Sequence, residues 1–239
     1  MLEFFKTIIY QPLYNLLITI IDVIPGGDVG LAVITITLLV RFVLFPLSKK
    51  SIVTQQKIKK YQEELNKIKE KYKKDRQKQA EMMLAFYKEK GINPFSSIFL
   101  MLIQIPIIIS LYLIFLHTAL PAVEVELLYT FIPEPDVLSM NFMGFIDISS
   151  RSWGLALLAG FVSFFQMQLS LPEIKKVDKP SFKDDLARSM NVQMRYIFPI
   201  IIFIIAYMFS AVVALYLFTS NLFAVGQELL VKRRIKIED

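Results

Sequence analysis

A single arginine, Arg41, interrupts an otherwise uncharged run from Val29 to Leu47. An arginine at the centre of a bilayer-spanning helix costs on the order of 3 kcal/mol on insertion scales. Two placements relieve that cost. The side chain can snorkel to lipid headgroups, in company with Lys49 and Lys50 just beyond the run, or it can face a hydrated cavity between helices. Thr37, one turn earlier on the same helical face, fits the cavity. Other polar side chains lie in apolar stretches: Gln104 and Ser110, Gln166 and Gln168, then Ser210, Thr219, Ser220 and Asn221. Singly, each reads as a hydrogen bond between helices; collectively they describe a polar interior able to receive a hydrophilic guest.

Covalent chemistry has few candidates. The apolar runs contain no Asp or Glu, so neither a carboxylate proton relay nor an aspartyl pair can be assembled within them. There is no Cys, which excludes disulfides, thiolate catalysis and cysteine-ligated metals, and the one His, His117, is too few for most imidazole chemistry. No phosphate-binding glycine loop or H-E-x-x-H stands in the chain. The expectation is a protein with no catalytic residues, no metal and no cofactor, whose polar groups bind and guide.

The elements that position these groups follow from hydropathy. Of 239 residues, 55% are hydrophobic, and they fall in long uncharged runs instead of at the amphipathic spacing of a soluble fold. An uncharged stretch of about 20 residues matches a hydrocarbon core of ~30 Å. Val29 to Leu47, Pro94 to Leu116 and Ser152 to Leu171 meet that length. Tyr196 to Gln227 is 32 residues long, too long for one crossing, and reads as a helical hairpin bent near Phe209 to Ala211. The fold class is an all-α membrane protein with five transmembrane helices.

Charge assigns the sides, because cytoplasmic loops carry the excess of Lys and Arg. Segment 49–90 holds 14 of them, segment 171–190 five and the tail after Leu230 four, whereas residues 1–28 hold only Lys6 and the loop 118–151 only Arg151. The N-terminus is therefore expected outside and the C-terminus inside. Residues 4–24 are nearly long enough to cross, yet Lys6, Gln11, Asn15, Thr19 and Asp22 lie opposite Phe5, Ile9, Leu13, Leu16, Ile20 and Ile24. That pattern suits a helix lying in the interface, with a sixth span as the alternative. No basic n-region or small-residue cleavage site marks a signal peptide.

Between the first two spans lies the one sizeable water-soluble segment. Ile58, Tyr61, Leu65, Ile68 and Tyr72 step by three and four along a helix otherwise covered in Lys, Glu and Gln, and a second stretch from Arg76 to Lys90 carries Met82, Met83, Phe86 and Tyr87. The two seams are expected to pack together around a turn at Lys73-Lys74-Asp75, ending in a Gly91 cap and an Asn93 N-cap. Such a hairpin is either a solvated connector or a docking arm. In the second case Lys57, Lys60, Lys67, Lys71, Lys74 and Arg76 offer charge for lipid headgroups, ribosomal RNA or a nascent chain, and Met82 and Met83 offer apolar contact.

The order of these features resembles one family. A span ending LLVRFVLFPLSKKS, a Lys-rich hairpin ending MLAFYKEKGINPF, LIQIPIIISLY, FFQMQLS, MRYIFPIIIFI and ALYLFTSNLFAVGQ follow one another as in the YidC-type membrane protein insertases, the bacterial relatives of the mitochondrial and chloroplast insertases. The resemblance covers about residues 3–234, and the ordered set is far more specific than any one motif. It implies five core helices around a hydrophilic groove open to the cytoplasm and to lipid, in the bacterial inner membrane. It places Arg41 and Gln166 in that substrate groove, with Gln104 and Asn221 on family motif positions, and Thr37 and Ser220 join them from the polar pattern of the runs. It implies nascent membrane proteins as clients, the ribosome and the Sec translocon as partners, the lipid bilayer as medium, no DNA and no ATP. The chain departs from many relatives at Phe209-Ser210-Ala211, where a Pro or Gly is common, and at Leu217, where a Trp is common. The large periplasmic domain of Gram-negative relatives has no counterpart here. From the residues alone, a small-solute transporter or channel and a membrane scaffold are the rival functions.

The expected boundaries are an extracytoplasmic interfacial helix over 1–28, spans over 29–48, 93–117, 152–171, 191–209 and 211–231, the cytoplasmic hairpin over 49–91, an extracytoplasmic loop over 118–151, a cytoplasmic loop over 172–190 and a basic tail over 232–239.

Overall fold

The computed structural model describes residues 2–117, 122–171 and 189–238. The loop expected over 172–190 lies, Ser189 and Met190 apart, outside the described residues. The chain divides into two compact units, Met1–Val43 with Gln104–Gly226, and Leu44–Ile103 with Gln227–Asp239.

In the first unit the sequence builds α1 (Glu3–Val23), which contains a π turn at Lys6–Tyr10, and α2 (Val29–Val43). Two further helices are α7 (Trp153–Ser170) and α8 (Ser189–Met208), the latter with a π turn at Gln193–Ile197. Parts of α6 (Phe95–His117) and α9 (Ala211–Glu238) complete it. On length and composition, α1, α7, α8 and the apolar part of α9 can each cross a bilayer, and α2 with the helix after its 63° bend makes a fifth if the bent pair is counted as one span. The described chain is thus an all-α membrane protein, with one minimal hairpin, β1 (Asn141–Phe142) against β2 (Ile146–Asp147), as its β-sheet.

The core is carried by Tyr14, Leu17, Ile18 and Ile21 of α1, Val29, Val33 and Ile36 of α2, Leu111 and Ile114 of α6, and Leu215 of α9, all nearly or fully buried. The face that α1 turns to the core includes a polar residue. Leu16 is exposed and Leu13 and Ile20 only partly covered, while Asn15 is buried. The reason is polar: Asn15 Nδ2 donates to the Leu127 carbonyl (2.8 Å) and its Oδ1 accepts from Tyr129 N (2.7 Å), so the amide turns inward to satisfy a loop backbone that has no sheet to join. Tyr14 Oη likewise accepts from Glu124 N at 2.8 Å. Phe4, Ile8 and Val23 are left on the outer surface.

Residues 139–150 tie helix ends together. The first turn of a helix has N–H groups without intrahelical partners. Here Val29 N donates to Ser139 O (3.0 Å), Ala211 N to Ser150 O (2.7 Å) and Val212 N to Ile148 O (3.2 Å). Asp28 caps α2 through Leu31 N (3.0 Å) and accepts from Met143 N with its other oxygen (2.7 Å). Gly27 makes the approach possible: its φ is +60°, and a Cβ there would collide with the Val137 carbonyl. On α7, Ala156, Ala159, Gly160 and Ser163 form a stripe of small residues, and at Gly160 it meets Phe203 and Pro199 of α8, so the helices approach closely.

The second unit holds α3 (Phe45–Lys60), α4 (Gln62–Lys71) and α5 (Arg76–Glu89). The span expected to run to residue 48 breaks at Leu44. Pro46 explains it, since it has no N–H to donate to the preceding turn; the chain restarts with Pro46 in the first turn of α3. A second break falls at Tyr61, so the hairpin is three helical pieces instead of two. Leu65 and Phe86 are buried at its seam, and the Tyr61 and Phe86 rings meet edge to face at 5.9 Å. The Lys90 ammonium lies over both rings at 5.4 and 5.5 Å. Asp75 caps α5 by accepting from Lys78 N (3.0 Å), Gly91 takes φ +59°, and Asn93 Oδ1 accepts from Phe95 N (3.0 Å). Ser48 Oγ donates to Gln227 Oε1 at 2.9 Å, with both residues buried.

Candidate functional site

Arg41 is the seventh residue after Ile34 on α2, in the last turn before the break at Leu44. Its Nε donates to Ser220 Oγ at 3.1 Å and its Nη2 donates to the same oxygen. Ser220 is 4% exposed. One turn before it on α9, the Tyr216 phenol lies within hydrogen-bonding reach of Ser220 and of Gln104 on α6, beside the guanidinium. Three helices therefore converge on one polar cluster. Next to it, Phe42 and Phe223 meet edge to face at 5.1 Å.

The electrostatics are unusual for an apolar surrounding. A guanidinium carries five N–H donors and a permanent charge. Two donors share one hydroxyl oxygen, and among the described residues no carboxylate pairs with Arg41. A half-buried cation without a counter-ion attracts whatever anion or dipole can reach it. Asn221 adds a second unmet group, since its Nδ2 is buried with no partner among the described residues.

The remaining expected groove residues are placed differently. Thr37 is 2% exposed and its hydroxyl donates to Val33 O at 2.6 Å, within its own helix. Gln166 is half-buried on α7. The structure thus joins Arg41, Ser220 and Gln104 through Tyr216, which the sequence reading passed over. Its signal was present as an aromatic hydroxyl four residues before Ser220, the i,i+4 spacing of one helical face.

On the second unit, Lys57, Lys60, Lys67, Lys71, Lys74 and Arg76 are all exposed on the hairpin, Met82 is exposed and Met83 half-buried. Among the described residues no group of three or more His, Cys, Asp or Glu is arranged to hold a metal.

Residues 20–238 match the family described as 60Kd inner membrane protein. The chain is similar to the membrane protein insertase YidC of Clostridium tetani, 32% identical over 209 residues, 87% of this chain and 84% of that one. It is similar to the YidC insertase of Fusobacterium nucleatum, 29% identical over 211 residues, 87% of this chain and 88% of that one. To the YidC insertase of Francisella tularensis subsp. novicida it is 32% identical over 234 residues, 98% of this chain but 36% of that longer protein.

Proposed function

The chain belongs to the 60Kd inner membrane protein family, that of the YidC insertases, and from that membership we propose that it inserts client membrane proteins through a wetted groove centred on Arg41. It is a multi-pass membrane protein that works as an insertase and not as an enzyme.

The observation that carries the groove is the guanidinium with no carboxylate partner among the described residues, held by a single serine hydroxyl. A polar client segment is too costly to move through ~30 Å of hydrocarbon. Water around Arg41, Ser220, Tyr216 and Gln104 shortens the apolar barrier, and the charge draws acidic parts of the client tail. The client's apolar helix then leaves sideways into lipid, without ATP. Thr37, Gln166 and Asn221 belong to the same lining. The N-terminus is outside and the C-terminus cytoplasmic, in keeping with the basic content of segment 49–90. The hairpin lysines and Met82 meet incoming clients, and the ribosome and Sec translocon are partners on that side.

The test is depletion of the host insertase and rescue by variants. Arg41→Ala is expected to impair clients with acidic tails, and Arg41→Lys to retain more function because a charge remains. Equal rescue by all three proteins refutes an electrostatic role for Arg41.

A further inference from the structure

The paired helices α7 and α8 leave a crevice of about 690 Å³ on their surface, walled by Leu157, Leu158, Phe161, Phe164, Ile200 and Phe203. Its floor is closed by Gly160, where a Cβ would stand 2.9 Å from Phe203 Cβ and 3.3 Å from the Pro199 carbonyl. Apart from Tyr196 the walls are hydrocarbon, so the space does not hold water or a polar peptide. One end differs. Tyr196 lines it and is half exposed, and its neighbour Arg195 donates from Nη1 to Gln168 Oε1 of α7 at 3.0 Å.

Both residues sit in the π turn Gln193–Ile197. A π turn places an extra residue in the helical turn, is rare, and is frequent at functional positions. Here it lets consecutive side chains serve different neighbours, with Arg195 bonded across to α7 and Tyr196 standing at the crevice.

We propose that this crevice holds an acyl chain of an anionic phospholipid, with the lipid phosphate at the Arg195 guanidinium. The planar fork of an arginine matches phosphate oxygens, and the bond to Gln168 holds that fork about one helical turn of α7 beyond the lining residue Phe164. Length argues for a lipid over a client helix. The walls from Leu157 to Phe164 cover about 10 Å of helix rise, a stretch of acyl chain, whereas a crossing helix needs contact over ~30 Å. The site is separate from the Arg41 cluster, and its occupant does not depend on the insertase reading.

The experiment places a tryptophan in the crevice by Phe164→Trp, with the natural Trp153 removed by Trp153→Phe, and reconstitutes the full chain in phosphatidylcholine vesicles. Increasing fractions of phosphatidylglycerol with brominated acyl chains then quench the reporter. Quenching is expected to give about a fivefold preference for phosphatidylglycerol over brominated phosphatidylcholine. Arg195→Gln is expected to bring the two lipids to parity and Arg195→Lys to keep most of the preference, which separates loss of charge from loss of folding. Equal quenching by both lipids in the parent, or an unchanged preference in Arg195→Gln, overturns the proposal. So does a photo-crosslinker at Phe161 that captures a nascent client helix in preference to lipid.

Discussion

Arg41 gives two of its five donors to the one oxygen of Ser220, across 179 residues of sequence. A hydroxyl oxygen has two acceptor sites, so both are taken by a single side chain and the hydroxyl hydrogen is left for Tyr216. The cation is anchored without being neutralised.

Ser220→Ala is therefore expected to release the guanidinium. Losing the acceptor in a half-buried setting costs about 1–3 kcal/mol, which thermal unfolding in detergent micelles can measure. Insertion should fall, by less than in Arg41→Ala, because the charge is still present. The double variant Arg41→Ala with Ser220→Ala should insert no worse than Arg41→Ala alone, since both changes remove one interaction. Additive losses would place Ser220 in a separate role.

Asn15 holds Leu127 O and Tyr129 N with the two ends of one amide. Asn15→Ala leaves the part-buried Tyr129 N–H unmet, at about 1–3 kcal/mol, while Leu127 O keeps the Gln11 Nε2 donor at 3.1 Å. The Tyr129 amide should then exchange with deuterium much faster, and the unfolding midpoint should drop. Asn15→Asp keeps the acceptor and loses the donor, so Tyr129 should stay protected more than in Asn15→Ala. Identical exchange in both variants would remove Asn15 as the clamp.

Asp147 provides a pH dependence in the loop. Its carboxylate accepts from the Ser149 hydroxyl and from Ser149 N, and these bonds hold it below the usual carboxylate range. A depressed folded-state pKa contributes stability that is complete above the ordinary value of about 3.9 and is lost as pH falls through the lower folded one. No change is expected from this group between pH 5 and 7. Carboxyl resonances of labelled Asp should titrate at higher pH in Ser149→Ala than in the parent protein. An unmoved titration would assign the shift to another cause.

The parts of this fold that were legible in the sequence are those written in local terms. Uncharged length identifies an all-α membrane protein, because hydrocarbon tolerates only backbone that satisfies itself. The hairpin's Leu65 and Phe86 follow from three-and-four spacing. The break at Leu44 is written in Pro46, inside an apolar run that continues to Leu47 and so hides it from a hydropathy count. The orientation of α1 was not legible. Asn15 looks like a surface residue until the loop carbonyl that needs it is known, more than 100 residues away. At the candidate site, rarity alone singles out Arg41 and Ser220, since polar groups in apolar runs are few. Their bond, and the part of Tyr216 in the cluster, depend on helices far apart in the chain and leave no trace in local pattern.

The backbone ties made by residues 139–150 set an order of assembly. Val29 N reaches Ser139, while Ala211 and Val212 reach Ser150 and Ile148. The start of α2 thus waits for more than 100 further residues to be synthesised, and the start of α9 closes the same knot from the other direction. Contacts of such separation form late and slowly. Until Ser139 has left the ribosome the Val29 amide lacks the carbonyl that meets it in the folded protein, whereas Ala211 and Val212 emerge with their acceptors already made.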